Sequence, residues 1–289
     1  MNPKKPKIIL TIDLEFWHNS EFLKNYLPKN KNNLSDTVVP ATEKLLKLLQ
    51  QKKCTATFFV LGQLAEKYPG LIKKIIISGH EIANHGYSHL ALWDMNPDSC
   101  EQEIKKSTAV LTAITGTSPK IFRAPRCSLN NSTKWLLPIL QKYHYICDSS
   151  IFPAFQVMKK NAMISCQPYK ISFNDVKKSD SESSILEFPI AAKNIAGLNI
   201  PVAGGIYFRL FPLFFFSLLL KSIAKKTIPV IYIHQHELDP HIPNVSAPWH
   251  KKKLLYWNKK NAFKKFEKLL DKFNFISLGQ YLSQEKTSP

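Results

Sequence analysis

Short apolar runs alternate with segments of helical periodicity along this chain. That alternation predicts an α/β fold around a parallel sheet, open or closed into a barrel. The first run agrees: Ile8, Ile9, Leu10 and Ile12 are nearly continuous, as in a strand covered on both faces. A third observation concerns polar residues. Asp13, Glu15, His85, Arg123, Asp148 and His234 all fall at or just beyond the C-terminal end of a predicted strand. In a βα barrel those ends gather on one face, where the active site sits.

The first strand is read over Lys7–Asp13. After a loop rich in Asn, Lys and Pro, Pro40–Lys52 has helical periodicity, with Leu45, Leu46, Leu48 and Leu49 as its apolar face. Thr55–Leu61 is a second strand, closed by Gly62, and Leu64–Ser78 a helix stopped by Gly79. A short strand over Glu81–Asn84 leads into a histidine-rich stretch. Pro97–Thr115 is the next helix and ends at Gly116; Ile121–Arg123 is a short strand. Asn130 or Asn131 caps a helix running to Tyr143. Tyr145–Asp148 is strand-like, residues 154–184 form a polar irregular excursion, and Ile185–Pro189 is again a strand. Leu213–Ala224 is a very apolar helix, Pro229–His234 a buried strand, Asn261–Phe273 a lysine-rich amphipathic helix and Phe275–Leu278 the last strand. With no repeat and no linker in view, one domain over residues 1–289 is expected.

The net charge of +19 comes from 40 basic and 21 acidic residues, and favours anionic partners. Only Arg123, Arg126 and Arg209 are arginines. Base-specific reading leans on the arginine fork, so a lysine excess argues against sequence-specific nucleic-acid binding. Five cysteines without C-x-x-C spacing point to reduced thiols. Residues Met1–Lys7 carry no secretory apolar core, and the most apolar run, Leu210–Leu220, is shorter than the ~20 residues that span a bilayer. A cytoplasmic protein is therefore expected. A lysine-rich surface beside that apolar helix would also suit contact with an anionic membrane.

Chemistry concentrates in Gly79–His89, G-H-E-I-A-N-H-G-Y-S-H, which holds three of the nine histidines. His85 and His89 are four apart, a spacing that sets both imidazoles on one side of a helical turn. Catalytic zinc sites take two or three histidines with a carboxylate. His80 and Glu81 are read as organising the loop before the pair. Gly204-Gly205 is read as a tight turn bringing Tyr207 and Arg209 toward the cleft.

Taken together, Asp13-x-Glu15, T-A-T-F-F-V-L-G (Thr55–Gly62), the Gly79–His89 stretch, F-R-A-P (Phe122–Pro125), D-S-S (Asp148–Ser150) and Y-I-H-Q-H-E-L-D-P (Tyr232–Pro240) resemble the NodB-type polysaccharide deacetylases. L-E-F-P (Leu186–Pro189) and G-G-I-Y-F-R-L-F-P (Gly204–Pro212) narrow the resemblance to a branch found with bacterial exopolysaccharide clusters. The motifs run in family order over residues 7–282. The resemblance implies a distorted (β/α) barrel of about seven strands and metal-dependent removal of acetyl groups, N-acetyl above all, from a carbohydrate or glycan. By the same resemblance His85, His89 and Glu15 hold a divalent metal, with zinc expected. Asp13 is the base, Arg123 its partner, His234 the acid and Asp148 the partner of that histidine. Arg126, Tyr207, Arg209 and His236 are candidates for substrate contact.

Two departures leave choices open. Many relatives have adjacent aspartates where this chain has Asp13-Leu14-Glu15; the reading taken is Glu15 as ligand and Asp13 as base. His234-Gln235-His236-Glu237 replaces a usual H-P-W-E, which makes His236 a second candidate acid and removes a tryptophan. Competing readings are a deformylase or deacylase on a lipid-linked sugar, a non-catalytic glycan- or membrane-binding relative, and a lysine-driven nucleic-acid binder.

Overall fold

The computed structural model describes residues 5–28, 34, 36–155, 164–243 and 245–286. Residues 1–4, part of the leader reading, and 156–163, part of the expected excursion, lie outside the described ones. The strands are β1 (Lys7–Leu14), β2 (Thr57–Val60), β3 (Glu81–Asn84), β4 (Ile121–Phe122), β5 (Cys147–Asp148), β6 (Tyr169–Lys170), β7 (Leu186–Glu187), β8 (Ala192–Ile195), β9 (Leu198–Pro201), β10 (Val230–His234) and β11 (Asn274–Ile276). The helices are α1 (Val38–Gln51), α2 (Gly62–Lys67), α3 (Pro69–Ile77), α4 (Pro97–Thr115), α5 (Leu136–Lys142), α6 (Gly205–Leu210), α7 (Leu213–Ala224), α8 (Trp249–Tyr256), α9 (Lys259–Leu270) and α10 (Leu278–Lys286).

The main sheet runs β10-β1-β2-β3-β4-β5-β7-β6, and all neighbours but the antiparallel β6–β7 pair are parallel. A parallel bridge between Ile190 and Val230 joins the chain after β7 to β10. The seven strands from β10 to β7 thus curl into a distorted barrel, while β11 pairs with the start of β1. Alternation along each strand sorts side chains into two layers. Ile9, Phe59, Ala83, Ile121, Cys147, Phe188 and Val230 fill the interior. Ile8, Leu10, Ile12 and Leu14 face outward, in one cluster with Leu45 and Leu49 of α1, Ile72 and Ile75 of α3 and Phe266 of α9.

Several elements differ from expectation for local reasons. The helix read over Leu64–Ser78 is two helices broken at Tyr68 (φ −130°), because Pro69 disfavours the helical conformation in the residue before it and opens α3 instead. The helix expected from Asn130 begins at Leu136: Asn130 Oδ1 accepts from Ser132 N (2.8 Å) and Thr133 Oγ1 from Asn130 N (2.9 Å), closing a turn first. The last strand ends at Ile276. Leu278 N then donates to Thr57 Oγ1 (2.8 Å) and the chain turns into α10. The β8–β9 hairpin, β6, α6 and α8 had no expectation.

Candidate active site

Strand alternation brings the candidates together. Beginning at interior Ile9, β1 presents Thr11 and then Asp13 to the inside, with Glu15 one step beyond its end. On β10 the same parity runs Val230, Tyr232, His234. Parallel register sets Asp13 directly beside His234. Arg123 and His85 follow Ile121 and Ala83 by two residues, just past the ends of β4 and β3. Each inward column therefore goes from apolar floor to polar rim.

His85 and His89 do not share a helical turn. Gly86 (φ 77°) and His89 (φ 66°) lie in the left-handed region, so the segment is a loop. Neighbours hold it. Asn84 Oδ1 accepts from Gly86 N (2.8 Å), and Glu103 Oε2 of α4 accepts from Ser88 N (2.8 Å) and Tyr87 N (3.2 Å). Gly62 N at the start of α2 donates to Gly86 O (2.9 Å). His80 and Glu81 sit at the opposite end of β3, so they do not organise this loop; Glu81 ties β2 to α10 through Thr57 Oγ1 (2.6 Å) and Gly279 N (2.9 Å).

One ligand atom each from Glu15, His85 and His89 falls within 4.8 Å of the others. His85 Nδ1 donates to Arg123 O (2.8 Å), since a carbonyl can only accept; Nε2 is left with a lone pair. Buried Glu15 Oε2 lies 2.6 Å from His89 Nε2 yet meets no hydrogen-bond geometry with any donor. A carboxylate oxygen and an imidazole nitrogen this close without a hydrogen bond between them suit a shared cation. Gln235 brackets the Glu15 backbone, its Oε1 3.3 Å from Glu15 N and its Nε2 donating to Glu15 O. Burial opposes the Glu15 charge, but His89 and His234 outweigh it and hold the carboxyl well below its usual range.

Asp13 belongs to a different set of contacts. Arg123, wholly buried, donates from one terminal nitrogen to Asp13 Oδ1 (2.6 Å) and Thr11 Oγ1 (2.8 Å), and elsewhere to Ser149 O and Ser149 Oγ (both 2.9 Å). Its guanidinium also lies 4.0 Å from the centre of the Phe59 ring. Asp13 Oδ2 is 4.0 Å from His234 Nε2.

Asp148 is not the partner of His234. Its neighbours Cys147 and Ser149 point inward, so Asp148 turns to the outer side of the barrel wall. There it accepts from Ser150 Oγ (2.6 Å) beside buried Glu187, whose Oε1 accepts from Ile151 N (3.0 Å). Burial and then the Asp148 charge push Glu187 well above its ordinary range. The carboxylate at His234 is Glu237, three residues on, with Oε2 3.0 Å from His234 Nδ1; Nε2 reaches Glu15 Oε1 (2.8 Å). Burial disfavours the imidazolium, but Glu15 and Glu237 more than compensate and raise His234 well above its ordinary value. Glu237 can come this close because a side chain at position 205 would overlap its carboxylate, and Gly205 has none. The Gly pair is accordingly the start of α6 rather than a free turn.

A cavity of about 480 Å³ opens over these residues. Its lining is largely apolar, with Trp17, Leu23, Ile242, Leu255 and Tyr256 together with Ile206, Tyr207 and Leu210. Arg126 lines it while pairing with Asp94 (3.2 Å). Arg209 also borders it, but its guanidinium donates to Leu255 O (3.0 Å) and Trp257 O (2.7 Å), clamping α6 to the end of α8. His236 stacks on His234 at 5.0 Å. Burial, then the His234 charge, lower it to about 3, which keeps it neutral and unsuited to be the acid. Asn84, Glu103 and Glu237 were given no role by sequence reasoning; Asn84, beside His85, and Glu237, in the same short motif as His234, left a local trace, and Glu103 left none.

Residues 2–145 match the family model described as polysaccharide deacetylase. These residues belong to the polysaccharide deacetylase family. Residues 149–283 match a second model, described as a domain of unknown function, so β7 and β10 of the barrel come from a stretch that carries no described activity. Over 95 residues, 32% of this chain, it is 42% identical to the peptidoglycan-N-acetylglucosamine deacetylase of Bacillus cereus, covering 34% of that protein. Over 106 residues, 37% of the chain, it is 34% identical to chitin deacetylase 1 of Saccharomyces cerevisiae, again covering 34%. The chain thus spans about a third of these relatives' length. Its fold matches a Mycobacterium smegmatis protein solved as a candidate polysaccharide deacetylase, with a TM-score of 0.60 and 17% identity over 100% of this chain and 94% of that one. No helix among the described residues is long and apolar enough to cross a membrane, and all five cysteines are free.

Proposed function

We propose that this protein is a metal-dependent deacetylase that hydrolyses the N-acetyl group of a carbohydrate or glycan. One observation carries the reading. Glu15, His85 and His89 converge on a point beside two separately supported groups, Asp13 on Arg123 and His234 on Glu237. Relatives named for peptidoglycan and chitin support a glycan as the substrate class.

Two imidazoles and a carboxylate suit zinc, which when bound supplies Lewis acidity that activates water and polarises a carbonyl. The remaining work belongs to the chain. Arg123 occupies Asp13 Oδ1 and so points Oδ2 into the cleft, where it takes the proton of the attacking water. A sugar nitrogen leaves poorly as an anion, and His234 protonates it from Nε2, Glu237 holding the imidazolium at Nδ1 until that proton leaves and the ring is neutral. The apolar walls keep bulk water from the cleft.

The test is acetate release from acetylated sugars, chitooligosaccharides, peptidoglycan fragments and lipid-linked sugars, with and without chelator. Acetate that appears with metal and disappears with chelator or with Asp13→Asn supports the reading. Formate instead of acetate would make the enzyme a deformylase. Tight glycan binding with no acid released at any pH would make it a binding relative.

A further inference from the structure

The segment from α6 to α9 leaves large apolar side chains uncovered. Phe214 and Trp249 are each 74% exposed, Leu218 59%, Leu210 47% and Trp257 46%. Phe214 and Leu218 are four apart on α7 and share one side of it, while Phe216, Leu219, Leu220 and Ile223 are buried. The helix is apolar all round, yet the fold covers only part of it. A shallow groove links the α6–α7 corner (Leu210 to Leu213) with Trp257 and Lys265, and Leu210 lines both this groove and the active-site cavity. The uncovered face is therefore continuous with the apolar wall that Leu210, Leu255 and Tyr256 make above the catalytic groups.

Charge narrows the occupant. From Gly205 to Leu270 the sequence holds eleven lysines and one arginine against three acids; Glu237 and Asp239 are buried, and Glu267 pairs with Lys52 (3.7 Å). Lys221, Lys225 and Lys226 are exposed at the end of α7, and Lys253, Lys260 and Lys264 on α8 and α9. A second copy of the chain would bring like charge against like charge. A nucleic acid would meet the lysines but leave Phe214, Leu218 and Leu210 in water. An anionic bilayer satisfies both halves: headgroups take the lysines, and the headgroup–acyl boundary takes Phe, Leu and Trp.

We propose that the exposed face of α6 to α9 docks this protein on an anionic lipid surface, with the mouth of the catalytic cavity beside that surface. If the site is the deacetylase read above, its substrate is an acylated sugar presented at a bilayer. The docking itself does not depend on that reading.

The experiment uses the full chain and vesicles of phosphatidylcholine alone or with about one third phosphatidylglycerol. Co-sedimentation is expected to be at least about tenfold tighter on the anionic vesicles, and to weaken with salt. Phe214→Ser with Leu218→Ser, and separately Lys221→Glu with Lys225→Glu, should each lower that binding by about tenfold. Neither pair should change turnover of a soluble acetylated sugar, which also shows that the variants fold; Trp249→Ser gives an independent apolar variant. Equal binding to both vesicles, or loss in the lysine pair with none in either apolar variant, overturns the proposal. So does a dimer in light scattering that the serine pair dissociates. Because vesicle binding is read without catalysis, an inactive but lipid-bound protein would sink the deacetylase reading alone.

Discussion

Glu237→Gln separates the carboxylate the fold puts at His234 from the one the motifs point to. The glutamine keeps size and an oxygen that accepts from His234 Nδ1 at the observed 3.0 Å, but removes the negative charge. At that distance the Coulomb attraction has a ceiling of about 5 kcal/mol in an effective dielectric of ~20. A hydrogen bond to a charged group contributes about 1.5–3 kcal/mol net. That interval corresponds to roughly a 10- to 100-fold fall in the ratio of protonated to neutral imidazole. The sign follows from the role. Glu15 and Glu237 raise His234, and an acid works only while protonated, so activity is lost as pH rises through its pKa. Lowering that pKa moves the loss to lower pH. The assay is kcat/KM for amine release against pH at saturating metal. The alkaline limb should shift down, with a rate deficit of about 10- to 100-fold above it. Asp148→Asn, which faces the outer side of the wall, should leave the limb in place. If the limb moves in Asp148→Asn and stays in Glu237→Gln, the assignment made from the structure is wrong.

Three further outcomes are expected. His85→Ala and His89→Ala should each weaken zinc retention on dialysis by more than about 100-fold, beyond the loss usual for an outer-shell partner; Asp13→Asn should keep its metal, and metal analysis showing the reverse would exchange their roles. Arg123→Met leaves Asp13 buried without its cation and strands four hydrogen bonds, a loss of about 3–5 kcal/mol and a Tm fall of about 5–8 °C by calorimetry; a shift under ~2 °C would show that the pair is not holding the barrel. Glu187 is raised by burial and by Asp148, so the native state keeps a proton the unfolded chain releases above the ordinary value of 4.5, and stability should fall as pH rises from there toward the folded pKa. Glu187→Gln supplies a permanent donor, and its urea midpoints should vary less over that window; parallel pH slopes would mean the pair carries no shared proton.

Much of this was legible locally. Short apolar runs located β1, β2, β3 and β10, and the polar residues ending them were readable because side-chain parity is a property of a few consecutive residues. Asp13 and Glu15 point inward together because they are two apart. Short, largely uncovered hairpin and strand pieces such as β6 and β8–β9 carry too few residues to show a period.

The chain's own order of residues determined a parallel α/β barrel and the chemistry at its rim: two acids, two histidines four apart, an arginine and a later histidine. Tertiary structure decided who stands beside whom. Asp148 is one residue out of phase with inward Cys147 and Ser149, so the wall turns it away, and the 3-10 turn after His234 brings in Glu237 instead. The His85–His89 pair reads as helix from spacing alone; hydrogen bonds from α2 and α4, distant in sequence, hold it as a loop. Residue spacing sets direction within one element, but which side chains meet across elements depends on register and closure, and those are settled only when the sheet curls and its helices pack.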